Sequence, residues 1–225
     1  MRQRHDPFAS PGMIETYITE TPRKVPGLAD LHRMTMLLLS EYAQNKAHIL
    51  VVGAGGGMEL VALAKAQPEW SFVGVDPSAP MLELARRTIK SIAKRVELIE
   101  GTIKAVPAHE FDGATCLLVL HFLDRRERLN TLIQIHQRLK PGAKLVMAHH
   151  SVGAGDAAIW LTRLAAFADR AKFSWEAASA TGTAIAAALP LLAASEEETL
   201  MREAGFADVE LFYSAFSVKG WVATA

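Results

Sequence analysis

The stretch Val51-Val52-Gly53-Ala54-Gly55-Gly56-Gly57-Met58-Glu59-Leu60 places a glycine loop between an apolar run and a helical pattern. Glycine lets the backbone turn sharply and lets a ligand approach it closely, and a helix that starts just after offers free N–H groups. Asp76 closes the next apolar run, where a carboxylate is placed to accept hydrogen bonds from ribose hydroxyls. These residues together describe a site for a nucleoside-containing cofactor. The dinucleotide fingerprint G-x-G-x-x-G requires glycine at position 58, which is Met58; the spacing here is G-x-G-x-G at Gly53, Gly55 and Gly57. An NAD site is therefore disfavoured, although Asp76 alone does not discriminate.

His121, His149 and His150 are the candidates for acid–base work, because histidine titrates near physiological pH. Each alone reads as a hydrogen-bonded structural residue. As a group they follow the fourth and fifth strand-like runs, at the end of an open α/β sheet where ligands bind. No carboxylate cluster accompanies them, so no metal is expected. The single cysteine, Cys116, excludes an intramolecular disulfide and a cysteine-based zinc site, and reads as a small buried hydrophobe.

The elements that position these residues alternate β-branched runs with helical periodicity, the pattern of a mostly parallel sheet. His48–Val52, Ser71–Val75, Val96–Glu100, Ala114–Leu120 and Lys144–Ala148 read as buried strands. Met81, Leu84, Ala85, Thr88 and Ile89 form one helical stripe, and Leu129, Leu132, Ile133, His136 and Leu139 a second that ends at Lys140-Pro141-Gly142. From Gly153 to about Ala194 the chain is alanine-rich and reads as two helices in an inserted cap. Ser195-Glu196-Glu197-Glu198 reads as a capping box opening a short helix that stops at Gly205. Val209–Tyr213 and Phe216–Val222 then form an antiparallel pair. The expected arrangement is a single domain over residues 1–225, with an N-terminal helical segment at 1–45 and the cap at about 153–194.

Composition removes several function classes. The 225 residues carry 24 Lys+Arg against 24 Asp+Glu, so no whole-protein field draws a polyanion. The runs Arg86-Arg87 and Arg125-Arg126-Glu127-Arg128 read as solvated helix faces, and nucleic acid is disfavoured as a partner. At 50% apolar and 21% charged residues the chain has ordinary globular usage. Met1–Ser10 is polar and lacks the apolar core of a signal peptide, and the longest apolar run, Ala184–Ala194, is too short for a bilayer and contains Pro190. The expectation is a cytoplasmic protein without a membrane segment; a homodimer is compatible with the sequence.

In several ordered blocks the chain resembles the class I S-adenosylmethionine-dependent methyltransferases. Gly53, Ala54, Gly55 and Gly57 are similar to the family's first motif, around the methionyl part of the cofactor. Asp76-Pro77-Ser78 with Met81 resembles the second, which holds ribose and covers adenine. Gly101-Thr102-Ile103 stands beside adenine where the family often has Gly-Asp and an apolar residue, and Thr102 replaces that acid. Leu117 and Leu118 fall in a block that lines the cofactor, with His121 facing the reaction zone, and Leu139 to Val146 matches the helix-to-fifth-strand turn. The resemblance implies a Rossmann-like α/β fold with a seven-stranded, mostly parallel sheet whose last strand is antiparallel.

Within the family the layout is similar to the carboxy-S-adenosylmethionine synthases of tRNA wobble-uridine modification, through Val25–Leu28 and Glu203–Phe216. Those enzymes hold an extra carboxylate with cationic and phenolic side chains before the last helix, whereas Ala177–Ala194 contains no Arg, Lys or Tyr. The leading expectation is methyl transfer from S-adenosyl-L-methionine to a small-molecule acceptor, with S-adenosyl-L-homocysteine as product. Tyr17, Arg33, Trp160, Arg163 and Trp175 are the candidates for the acceptor pocket, against the plainer reading of cap core and solvated charges. Modification of the cofactor itself, and a non-catalytic nucleoside-binding module, are the alternatives.

Overall fold

The computed structural model describes residues 11–108, 110–153, 155–170 and 173–225. The polar N-terminal stretch Met1–Ser10 lies outside the described residues. Helices α1 (Pro11–Lys24) and α2 (Leu28–Ser40) lead into β1 (His48–Val52), followed by α3 (Met58–Ala66), β2 (Ser71–Asp76), α4 (Ala79–Thr88) and β3 (Val96–Glu100). The chain continues through β4 (Phe111–Leu117), α5 (Arg125–His136), β5 (Leu139–His150), α6 (Ala157–Ala168), α7 (Trp175–Ala188), α8 (Ala194–Glu203), β6 (Ala207–Ala215) and β7 (Val218–Thr224).

The seven strands form one sheet in the order β3-β2-β1-β4-β5-β7-β6. Strands β1 to β5 pair in parallel, and β7 lies antiparallel between β5 and β6. Because β1 neighbours both β2 and β4, the winding direction reverses between β1 and β4. The loops at their carboxyl ends diverge there and leave a crevice, which is where open α/β sheets take ligands. The Gly53–Gly57 loop leaves β1 at this point and Leu118 leaves β4.

Both faces of the sheet are covered, which is why its central strands are apolar without alternation. Ile49 and Val51 of β1 pack with Leu39, Leu60, Leu63 and Trp70, while Leu50 joins Leu132, Ile135, Leu200, Met201 and Trp221 on the other face. Each such side chain stabilises the fold by about 1.5–3 kcal/mol through burial. The α4 stripe is as expected, with Met81, Ala85 and Ile89 buried.

The structure departs from the sequence expectation at several points. β4 runs from Phe111 to Leu117 instead of 114 to 120, because Leu118 takes a left-handed φ of 61° and cannot continue a strand. β5 starts at Leu139, which pairs with Phe111, so Leu139 belongs to the sheet and not to the α5 stripe. The cap of α8 is Ala193, two residues before the expected one: the Glu196 carboxylate accepts from the Ala193 N–H at 2.8 Å, so Ser195 lies inside the helix. Finally, Arg128 is fully buried, not solvated. Helix α5 opens on a capping box of Asp124 and Glu127, and this phase turns Arg128, Leu132 and Ile135 inward.

Candidate functional site

Left-handed φ angles of 79°, 49° and 82° at Gly53, Gly55 and Gly57 wind the loop tightly. Its shape is held by the N–H groups of Gly53 and Ala54 donating to the Val75 carbonyl at 2.8 and 3.0 Å. A side chain at Gly53 would put its Cβ 2.1 Å from Val119 Cγ2, so the first glycine is required by backbone conformation and by the β4 loop pressed against it. Helix α3 starts after Gly57 with no side-chain cap, leaving its first N–H groups available.

Asp76 closes β2 under this loop and is buried. Its Oδ2 accepts from the Gly55 N–H and its Oδ1 from the Ser78 N–H, both at 2.9 Å. The carboxylate thus fixes the glycine loop and the start of α4 together. Ser78 Oγ caps α4 by accepting from the Met81 N–H at 3.4 Å, with Pro80 in the first turn. Met81 Cε stands 3.6 Å from where a Gly55 Cβ would be. Gly101 donates to the Asp76 carbonyl at 3.0 Å, which brings Thr102 to the same edge, while Ile103 is buried in the core with Val75.

A small cavity lies on the loop, walled by Gly53, Ala54, Gly56, Met58, Glu59, Leu117 and Leu118 and by Tyr17, Thr21, Leu28 and His32 from the N-terminal helices. Glu59, Tyr17 and His32 bring titratable groups into its wall. Glu59 is 8% exposed and its Oε1 has no hydrogen-bond partner. Burial pushes its carboxyl up to about 7, against the nearby Thr115 hydroxyl, which pulls it down. Burial first, then Asp76 and Glu59, pushes the Tyr17 phenol up to about 12, and burial pushes His32 down to about 4. Leu118 holds its left-handed conformation at this wall, a strained geometry of the kind found at binding sites.

The histidines divide between two environments. His149 and His150 are successive residues of β5 and so point to opposite faces of the sheet. His149 is fully buried, with Nε2 3.0 Å from Glu197 Oε1, and Glu197 is in turn ion-paired with Arg128. Arg128 also donates to the carbonyls of Leu123 at 2.9 Å and Pro190 at 2.5 Å. Burial pulls its guanidinium below the usual range while the Glu197 carboxylate holds it up.

His150 faces the other way, with Nδ1 3.0 Å from Ser217 Oγ, and lines a second cavity. Burial, reinforced by His149, pushes it down to about 4. His121, in the turn after β4, lies with its ring 4.7 Å from that of His150 and its Nδ1 unpartnered. Burial and the neighbouring histidines and Arg128 hold it well below the usual histidine range. His121 and His150 are therefore both neutral at pH 7.

The second cavity, of about 440 Å³, sits beneath α6 and α7. Leu161, Leu164, Ala165 and Ala168 line it from α6, Ala177, Ala178, Thr181 and Ile185 from α7, and Lys24, Val25, Asp169 and His150 complete it. The two helices approach closely at Gly182, where a Cβ would fall 2.4 Å from the Thr162 nitrogen. Of the side chains expected in an acceptor pocket, Tyr17 packs instead on Gly55 and Gly56 in the first cavity. Trp160 lies under the exposed Arg163 guanidinium at 4.4 Å. Trp175 is 58% exposed against Phe173, and Arg33 is on the exposed side of α2. None of these five lines the cap cavity.

The lining residues on α6 recur at i, i+3, i+4 and i+7, a periodicity visible in the sequence that the more conspicuous Trp160 and Arg163 obscured. Glu59 and His32 carried no such signal, since what marks them is burial beside a loop. Among the described residues no group of His, Cys, Asp and Glu is arranged to hold a metal, and no helix is long and apolar enough to cross a membrane.

Residues 49–142 match the family described as "Methyltransferase domain". A carboxy-S-adenosyl-L-methionine synthase of Erwinia tasmaniensis is 29% identical over 140 residues, 60% of this chain and 57% of that protein. The synthase of Chromohalobacter salexigens is 28% identical over 134 residues, 58% and 50% of the two chains. The chain thus spans little more than half the length of the curated relatives it matches. Among solved structures, a putative O-methyltransferase from Nostoc punctiforme superposes with a TM-score of 0.70 at 19% identity, covering 96% of this chain and 61% of that one. Human N-acetylserotonin methyltransferase in complex with SAM gives 0.62 at 16%, covering 93% and 57%. With the strand order, the reversal point between β1 and β4, and the glycine loop and Asp76 placed at it, these matches make residues 49–142 similar to the methyltransferase-domain family, on a fold shared with solved S-adenosylmethionine-dependent methyltransferases.

Proposed function

We propose that the protein transfers the methyl group of S-adenosyl-L-methionine to a small-molecule acceptor held in the cavity beneath α6 and α7. The observation that carries this reading is the placement of an apolar, cap-covered cavity with a neutral histidine in its wall on the same edge of the sheet as the glycine loop. The residues present fit the cofactor: close backbone approach at Gly53–Gly57, a buried carboxylate at Asp76, and apolar contact at Met81, Leu117 and Leu118. When bound, S-adenosyl-L-methionine supplies an electrophilic methyl group on a positively charged sulfur.

The chain's own residues then orient the acceptor, exclude water and take up a proton. Leu161, Leu164 and Ile185 enclose an apolar body, and close positioning of two reactants is itself a large part of catalysis. In the tautomer that donates from Nδ1 to Ser217 Oγ, His150 keeps a lone pair on Nε2 for the proton of an acceptor O–H or N–H. His121, in contact with His150, supports that role, whereas His149, turned into the Arg128–Glu197 pair, is structural.

Thermal denaturation with S-adenosyl-L-homocysteine, S-adenosyl-L-methionine, NADH and no ligand tests the cofactor without a guess at the acceptor. A ligand at about 100 times its Kd should stabilise the protein by about 2.7 kcal/mol and raise Tm by several degrees. A shift with NADH alone would refute the reading.

A second reading, modification of the cofactor to a carboxylated sulfonium, is favoured by the names of the sequence relatives. It is weakened by the loop cavity, whose described lining contains no Arg or Lys to balance an added carboxylate. Mass spectrometry of the ligand that co-purifies separates the two: a carboxylated sulfonium would support the second.

A further inference from the structure

The loop cavity contains acid and no counter-charge. Glu59, the second residue of α3, points its unpartnered Oε1 from a site 8% exposed. The titratable groups facing it come from every side. Tyr17 on α1 and His32 on α2 are held neutral by burial, and Cys116 on β4 is held as a thiol by burial and by the Glu59 charge. Asp76 on β2 contributes a second carboxylate to the same region, already engaged by the N–H groups of Gly55 and Ser78. Thr115 on β4 offers a hydroxyl whose Oγ is itself unpartnered. Among the described residues no Lys or Arg forms an ion pair with Glu59 or lines the cavity, and the one histidine in its wall, His32, is neutral.

A buried carboxylate left without a counter-charge is costly, and the natural remedy is a cation brought by the ligand. Given the cofactor reading above, on which this inference rests, two cationic groups are available: the sulfonium and the α-ammonium of the amino-acid end. An ammonium donates hydrogen bonds and a sulfonium has none to give. We propose that Glu59 is the binding partner of the α-ammonium group of the cofactor's amino-acid end. The first turn of α3 supports the ionised carboxylate through the helix dipole, and Thr115 is placed to donate to it.

The test compares three probes by isothermal titration calorimetry: S-adenosyl-L-homocysteine, which keeps the ammonium but has a neutral sulfur; methylthioadenosine, which lacks the amino-acid end; and S-adenosyl-L-methionine. Glu59→Gln should weaken S-adenosyl-L-homocysteine by roughly 10- to 100-fold and leave methylthioadenosine within about twofold. Equal losses for both would mean that Glu59 only shapes the loop, and no loss for either would likewise overturn the proposal. Loss with S-adenosyl-L-methionine alone would assign Glu59 to the sulfonium and overturn it too.

The wild-type pH profile is an independent check that needs no variant. Burial holds the free carboxyl at about 7, so binding an ammonium must draw a proton off it at lower pH. Affinity for S-adenosyl-L-homocysteine should fall relative to methylthioadenosine as pH drops from about 7.5 to about 5.5, with the difference absent in Glu59→Gln. Parallel profiles would overturn the assignment. Wild-type protein that binds neither nucleoside would overturn the cofactor reading itself, a result distinct from all of these.

Discussion

Replacing Arg128 with methionine should be among the most damaging single changes outside the apolar core, although it removes a residue that touches neither cavity. The guanidinium is fully buried and serves three acceptors on separate elements: Glu197 of α8, the Leu123 carbonyl before α5 and the Pro190 carbonyl after α7. Without it the Glu197 carboxylate keeps His149 Nε2 at 3.0 Å as its neighbour, and its Oε2 is already unpartnered. Breaking a buried pair by removing one partner costs about 3–5 kcal/mol. Two carbonyls left without donors place Arg128→Met at the upper end of that range, about 5 kcal/mol. For a chain of this length the corresponding drop in Tm is roughly 10–20 °C.

The double variant Arg128→Met with Glu197→Met removes both charges and most of the desolvation cost with them. Its expected stability lies within about 2 kcal/mol of wild type, well above either single variant. Urea denaturation followed by tryptophan fluorescence and far-UV circular dichroism, with coincident transitions, measures all four corners of the cycle. A loss under about 1 kcal/mol for Arg128→Met, or a double variant as unstable as the sum of the singles, would refute the argument that this pair is held by mutual charge compensation.

Three further outcomes are expected. His32 and His150, held at about 4 against 6.5 for an open histidine, stay neutral in the fold while the unfolded chain takes up protons, so stability falls as pH drops from about 6.5 towards 4. Each histidine contributes up to about 3 kcal/mol of that loss. Glu59, raised to about 7 from 4.5, has the opposite sign: the fold binds its proton first and regains stability as pH falls over that range. Urea titrations at several pH values should therefore show a steeper acid loss in Glu59→Gln than in wild type, and an equal slope would contradict the burial argument.

Asp76→Asn, which keeps shape but can accept from only one of the Gly55 and Ser78 N–H groups, should weaken S-adenosyl-L-homocysteine roughly 10- to 100-fold by calorimetry. Gly53→Ala combines a left-handed φ of 79° with a Cβ 2.1 Å from Val119 Cγ2. It should cost about 2–4 kcal/mol in denaturation experiments; a neutral effect would show that the β4 loop yields freely.

Much of the fold was legible because its signals are local. The runs at 48–52 and 71–75 are largely apolar, so strand and burial followed from composition alone, whereas Val96–Glu100 forms the expected strand but lies at the sheet edge with none of its residues buried. Where one residue breaks a strand, as Leu118 does by turning left-handed, the sequence showed only an apolar run that continues. Arg128 was misread for a related reason. A basic cluster at a helix start looks solvated until the capping residue Asp124 fixes the helix phase and a distant helix supplies Glu197. In the cap, large and charged side chains drew attention to Trp160, Arg163 and Trp175, while the cavity is lined by smaller residues on the other side of the same helices.

By itself the sequence determined the class of the fold, the glycine loop with its carboxylate partner, and the family these resemble. Each depends on neighbours in the chain: glycines that permit positive φ, an acid at a strand end, apolar runs of strand length. Only the tertiary structure decided which of two adjacent histidines faces the cap and which enters an ion-paired core. It alone showed that Tyr17 closes over the glycine loop and that Glu59 is buried there without a counter-charge. The physical reason is that orientation, burial and charge compensation are set by residues far apart in sequence, and the side that a strand's alternation presents to a ligand is fixed only when α5, α8 and the cap helices pack on the sheet.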